Sequence, residues 1–125
     1  MNTRTTREVF EDHLELARQG DLETDLKRNF AKDCVLLTGY GVFRGHRGVR
    51  EAAELLYNQL GNVHYIYSRK LWHDEVAFLE WSAESGSASV EDGADSFWVR
   101  DGLVRVMTIH YTVREKAPGR GEIGA

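Results

Sequence analysis

The chain has 125 residues and a formal charge of −4, from 16 basic and 20 acidic side chains. That is one domain's worth of protein, without the basic excess of a domain that grips duplex nucleic acid by its phosphates. Hydrophobic residues at 42% and charged residues at 29% fit a folded globular domain and exclude wholesale disorder. No apolar run approaches the roughly 20 residues of a membrane helix. The single cysteine, Cys34, leaves no internal disulfide and fits a reducing, cytoplasmic compartment.

The first predicted element is a helix in which Val9, Phe10, Leu14 and Ala17 recur at helical spacing. Thr5 and Glu8 have the spacing of a capping box, and Gly20 supplies the stop. Asp21 caps a second, shorter helix that buries Leu22, Leu26 and Phe30. Cys34 to Thr38 reads as a buried strand, and the loop from Gly39 to Gly48 leaves room for a very short strand at Val42-Phe43. A third helix is expected from Gly48 to Leu60, with Val49, Ala52, Ala53, Leu56 and Leu60 inward, ended by Gly61-Asn62. The period then changes from helix to strand. Residues 63–72, 75–84, 87–100 and 103–113 read as long strands, with turns at Asp74, Ser85-Gly86 and Asp101-Gly102. Asp101-Gly102 is a tight-hairpin signal, because such a turn needs positive φ. Asp92-Gly93 is a bulge or a break within the third long strand. The domain is expected to span residues 1–116, with 117–125 a disordered tail rich in glycine. Helices followed by an antiparallel run of strands make an α+β arrangement, with a curved sheet wrapped around the helices.

Four pieces then stand out in order. Gly20-Asp21-Leu22 closes the first helix, and Phe30-Ala-Lys-Asp33 opens the first strand. Phe43-Arg-Gly-His-Arg-Gly-Val-Arg50 precedes the third helix, and Asp95-Ser-Phe-Trp-Val-Arg-Asp-Gly-Leu-Val104 forms the last hairpin. Together they resemble the NTF2-like superfamily and, within it, the SnoaL-like proteins, over about residues 5–114. The resemblance implies a cystatin-type cone, a strongly bent antiparallel sheet closed by helices around a deep pocket, and a homodimer across the sheet. It does not imply one chemistry, since the superfamily holds isomerases, epoxide hydrolases, polyketide cyclases, dehydratases and pure binding modules. It implies that His13 stands where the ketosteroid-isomerase branch has its oxyanion-binding tyrosine. It also implies that Asp95 stands where that branch has an aspartic acid kept protonated by apolar surroundings. The branch's carboxylate base falls on Thr38, which cannot serve. A proton acceptor must then be Glu80, His110 or His13.

Each candidate has a plainer reading. His13 is alternatively a core-edge histidine bonded to a backbone carbonyl, and Asp95 alternatively points outward or ends a turn. Strand alternation puts Met107, Ile109, Tyr111 and Val113 on one face and Thr108, His110 and Thr112 on the other. His110 therefore either faces solvent or a dimer interface, or enters the cone beside Asp95 as a proton-transfer pair. Of Glu80 and Trp81, one must face in. Tyr40, Tyr57, Trp81, Phe97, Met107 and Tyr111 are the expected lining of a cavity for a small hydrophobic organic ligand. The glycines from Gly39 to Gly45 lack the spacing and the βαβ context of a dinucleotide site, so no cofactor is expected. The five histidines show no metal-ligand spacing, so no metal is expected. Arg44, Arg47 and Arg50 form a basic cluster, solvated or touching an anion near the cone mouth. The expected function is a small-molecule pocket protein, either a non-metal acid/base enzyme (isomerase, cyclase, dehydratase or hydrolase) or a non-catalytic binding module. A third reading is an assembly domain pairing through a sheet face that carries Tyr65, Tyr67, Trp81 and Thr108.

Overall fold

The computed structural model describes residues 3–116, and the expected tail lies outside the described residues. Helix α1 (Thr6–Gln19) begins where predicted. The Thr5 hydroxyl accepts from the Glu8 amide at 3.1 Å, and the Glu8 carboxylate takes the Thr5 amide at 2.8 Å, so two first-turn donors are satisfied. Gly20, at φ 75°, ends the helix in the left-handed conformation that a side chain would strain. Asp21 caps α2 (Leu22–Asn29) by accepting from Thr24. These two short helices lean on each other and on the sheet.

The strands are β1 (Phe30–Thr38), β2 (Gly41–Arg44), β3 (His64–His73), β4 (Val76–Glu84), β5 (Ala88–Arg100), β6 (Leu103–His110) and β7 (Arg114–Glu115), with α3 (Gly45–Leu60) between β2 and β3. Their order across the sheet is β2-β1-β6-β5-β4-β3, with β7 paired to β5. The α+β cone is as expected, with one difference: β1 runs parallel to β6, so the sheet is mixed. The chain leaves β1, makes β2 and α3, builds the meander from β3 to β5, and returns beside β1 in the same direction. Several boundaries also differ, and the last long strand ends at His110 rather than at residue 113. α3 starts at Gly45, three residues before the expected start, and β1 starts at Phe30 directly after α2.

The sheet bends because four of its ladders lose register, the β1–β6 pair between Phe30 and Val35 among them. β3 carries an extra residue between Tyr67 and Arg69, β5 one between Val90 and Gly93, and β6 one between Val104 and Val106. An extra residue on one strand of a pair increases local twist and curls the strand. The β5 bulge has a second effect. Val90 faces in; after Glu91 and Asp92, both exposed, the inward set continues as Gly93, Asp95, Phe97 and Val99. Without the extra residue, strict alternation from Val90 would have placed Asp95 outside. β4 alternates cleanly, with Ala77, Leu79, Trp81 and Ala83 buried. Together with Val9, Phe10, Leu26, Cys34, Leu36 and Val104 they belong to the core, and Leu36, Leu79 and Trp81 also border the cavity. Burial pushes the Cys34 thiol up, so it behaves as a small apolar group.

Candidate active site

The wide end of the cone is hollow. A cavity of about 860 Å³ lies between the inner face of the sheet, α1, α3 and the Gly61–Val63 turn. Its wall is a run of aromatic rings. Tyr40 meets Tyr111 at 5.6 Å between centroids, Tyr111 meets Trp81 at 5.8 Å, and Trp81 meets Tyr65 at 5.6 Å, each pair tilted or edge-on. Tyr67, Phe43, Met107, Ile109, Leu36 and Leu79 complete the apolar lining.

Three buried titratable groups belong to the lining: Asp95, His13 and the Asp25 that pairs with it. Asp95, 8% exposed, comes from the inward face of β5. Its Oδ1 accepts from the Trp81 indole N–H at 3.0 Å; among the described residues nothing else donates to this carboxyl. Burial pushes it up to about 7, against the lowering effects of the Trp81 hydrogen bond and the His13 charge. Trp81 can lie flat at this point only because its cross-strand partner is Gly93. A Cβ there would fall 2.3 Å from two atoms of the indole ring.

His13, from α1, is the second group. Its ring packs edge-on against Phe30 and Phe97, 5.4 and 5.3 Å between centroids. Its Nδ1 lies 2.7 Å from Asp25 Oδ2; a carboxylate only accepts, so Nδ1 carries the proton. Burial works to lower the His13 pKa, but the charge and hydrogen bond of Asp25, with the charges of Asp95 and Asp12, raise it overall. Behind Asp25 the network continues. Asn29, fully buried, donates from Nδ2 to Asp25 Oδ1 and to Asp12 Oδ2, each at 2.9 Å, and accepts from Arg4 Nη1 at 2.9 Å. Arg28 holds Asp12 through both carboxylate oxygens and, with Asn29 and Arg4, keeps its pKa below the usual range, against desolvation. The imidazole is thus anchored on one edge, while Nε2 has no protein partner among the described residues.

The predicted site residues separate into two groups. His13, Asp95, Tyr40, Tyr57, Trp81, Met107 and Tyr111 line the cavity, although Tyr57 is 58% exposed and sits at the mouth. His110 does not enter the cone. It pairs with Ala94 on the outer face and rests 3.3 Å from Asp92; no bulge on β6 falls between Met107 and His110 to turn it inward. Glu80 is likewise outside, because Trp81 takes the inward position beside it. Phe97 points inward but lies deeper than the cavity, under Phe10 and His13. The expected assembly face is also corrected. Tyr65, Tyr67 and Trp81 line the cavity, and of that set only Thr108 lies on the outer face. Arg50 is held by Glu23 at 2.8 and 2.9 Å and Arg47 lies 3.5 Å from Glu51. Among the described residues no cluster of three or more His, Cys, Asp or Glu side chains has metal-binding geometry, and no helix is long and apolar enough to cross a membrane.

Sequence reasoning missed Asp25 and Asn29; it read Gly93 only as a bulge or break, and placed Tyr65 and Tyr67 on an assembly face. Asp25 carried a usable signal: it neighbours Leu26 on the inward side of a short amphipathic helix, where an unpaired carboxylate is costly. Asn29, four residues on, shares that side.

No protein-family model and no curated protein sequence matches the chain. Solved structures do. A protein from Kribbella flavida, provisionally named a ketosteroid isomerase, superposes with a TM-score of 0.74 at 19% identity, over 97% of this chain and 90% of that one. An NTF2-like protein of unknown function from Burkholderia xenovorans gives 0.70 at 15% identity, over 96% and 92%. A protein from Mesorhizobium loti, provisionally named a SnoaL-like polyketide cyclase, gives 0.66 at 15% identity, over 86% and 100%. The chain has the NTF2-like fold. At these identities the likeness concerns the fold alone.

Proposed function

We propose that the chain is a small-molecule pocket protein that performs acid/base chemistry on a largely apolar organic substrate carrying a polar oxygen. The observation that supports this reading is Asp95: a buried carboxyl in the cavity wall, one oxygen held by Trp81, the other without a donor among the described residues, and a pKa pushed up to about 7. In its neutral form it donates to a substrate oxygen; in its ionised form it accepts a proton from the adjacent carbon or from water. His13, held by Asp25 in its charged form, stabilises negative charge that develops on that oxygen. Two of the similar structures bear isomerase and cyclase names, and such reactions use proton transfers of this kind. The reading is tested by proton exchange in heavy water, followed by NMR over a panel of apolar ketones. Wild-type protein is expected to catalyse exchange next to the carbonyl, and Asp95→Asn to lose roughly 10²–10⁴-fold. Saturable binding without exchange, equal in both proteins, favours the non-catalytic binding module instead.

We propose also that the outer sheet face pairs two copies. Leu71, Val76 and Trp98 lie on the adjacent strands β3, β4 and β5 and are 39–53% exposed, with Trp98 directly beside Val76; a contiguous exposed apolar patch marks an interaction surface. Light scattering is expected to give a dimer that Val76→Lys dissociates. A monomer at high concentration contradicts the pairing.

A further inference from the structure

The rim of the cavity carries a charge that the acid/base chemistry does not use. Arg18, in the last turn of α1, lines the cavity with its guanidinium carbon 4.5 Å from the centroid of the Tyr67 ring, which is itself part of the wall. A planar cation stacked on a tyrosine is held in place yet keeps its N–H edge free to donate. Among the described residues no carboxylate lies within ion-pair distance of it. The other arginine on the lining is committed: Arg50 gives Nε and Nη2 to Glu23. Deeper in, His13 is balanced by Asp25 and Asp95 takes up a proton near neutral pH. The remaining charge on the lining is Glu54, exposed on α3 and not paired with Arg18.

We infer that the substrate is a flat, apolar acid whose carboxylate is held by Arg18 at the mouth while its body lies along the aromatic wall. This rests on the cavity being the binding site, as proposed above. A guanidinium prefers a planar, bidentate oxyanion. The run from Tyr40 through Tyr111 and Trp81 to Tyr65 offers ring faces and edges to a flat hydrocarbon body. Arg18 on α1 and Asp95 on β5 then contact separate ends of one molecule, so the anionic group selects and orients while the deep oxygen reacts. Arg18 is here a specificity-determining residue, and Glu54 disfavours the opposite orientation of charge.

Three probes of one shape separate the possibilities: 2-naphthoate, naphthalene-2-carboxamide and 2-naphthylmethylammonium. Binding is followed by calorimetry and by quenching of Trp81, which lies inside the cavity, in wild type, Arg18→Gln, Arg18→Lys and Glu54→Gln. The naphthoate is expected to bind about tenfold more tightly than the carboxamide at low salt, the scale of one charge-assisted hydrogen-bonded contact. Arg18→Gln is expected to abolish that preference by weakening naphthoate binding about tenfold, and Arg18→Lys to restore part of it. Equal affinity for acid and amide in wild type, or a preference that survives Arg18→Gln, overturns the inference and leaves the cavity reading standing. Tightest binding of the ammonium probe, lost in Glu54→Gln, overturns it in favour of a cationic ligand. Failure of all three probes to bind overturns the apolar pocket itself.

Discussion

Asp95→Asn keeps the shape of the side chain and an oxygen to accept from Trp81, and removes only the ability to ionise. In the wild type, burial raises this carboxyl from an ordinary 3.8 to about 7. Between those two values the folded protein binds the proton and the unfolded chain does not. Stability from this group is therefore complete below pH 4, falls as the pH rises to 7, and is flat beyond. A displacement of about three pH units at 1.36 kcal/mol each sets a ceiling of about 4 kcal/mol. Urea denaturation of both proteins at pH 4 and pH 8 reads the effect of the carboxyl together with its coupling to His13. Asp95→Asn is expected to be close to wild type at pH 4 and more stable by up to about 4 kcal/mol at pH 8. A gain of equal size at both values, or a loss at pH 8, refutes the assignment of a buried, reluctantly ionised carboxyl.

The remaining predictions concern the groups around it. Gly93→Ala places a Cβ 2.3 Å from the indole ring, and is expected to cost about 1–3 kcal/mol by overpacking and to shift Trp81 emission; unchanged stability and spectrum would contradict the close approach. Trp81→Phe removes the N–H that lowers the carboxyl, so an NMR titration of Asp95 is expected to move above 7; movement downward would show that another donor holds it. Asp25→Asn strips the charge that keeps His13 protonated, at a cost of about 3 kcal/mol for a broken buried pair. Its sign follows from the raised His13 pKa: the loss is full at low pH and shrinks as the pH climbs through the folded value, and a loss that grows with pH speaks against a charged imidazole.

The fold was legible wherever the signal was local. The Thr5–Glu8 capping box and the Asp101-Gly102 hairpin rest on neighbours within a few residues, and each appears in the structure. The parallel pairing of β1 with β6 was not, because it joins segments about seventy residues apart and nothing in either strand marks its direction. The site was half legible. His13 and Asp95 reach the cavity, but the side of β5 on which Asp95 falls turns on one extra residue before Gly93, and sequence allowed either a bulge or a break there. His110 followed the plain alternation of β6 outward. Phe97 shares the inward face with Asp95, yet depth along the cone depends on α1 packing over it, which no period in the strand encodes. Asp25 and Asn29 act through partners from 4 to 25 residues away on other turns and helices, and only the packed structure brings them together.

The most direct test is the titration of the Asp95 carboxyl carbon in wild-type protein, read by carbon NMR with Asp95→Asn as the assignment control. A midpoint near 7, far from the range of the surface carboxylates, is expected for a proton-transferring group buried in the cavity wall. A midpoint near 4 would mean that the carboxyl is solvated and permanently ionised, and would contradict the acid/base role given to it.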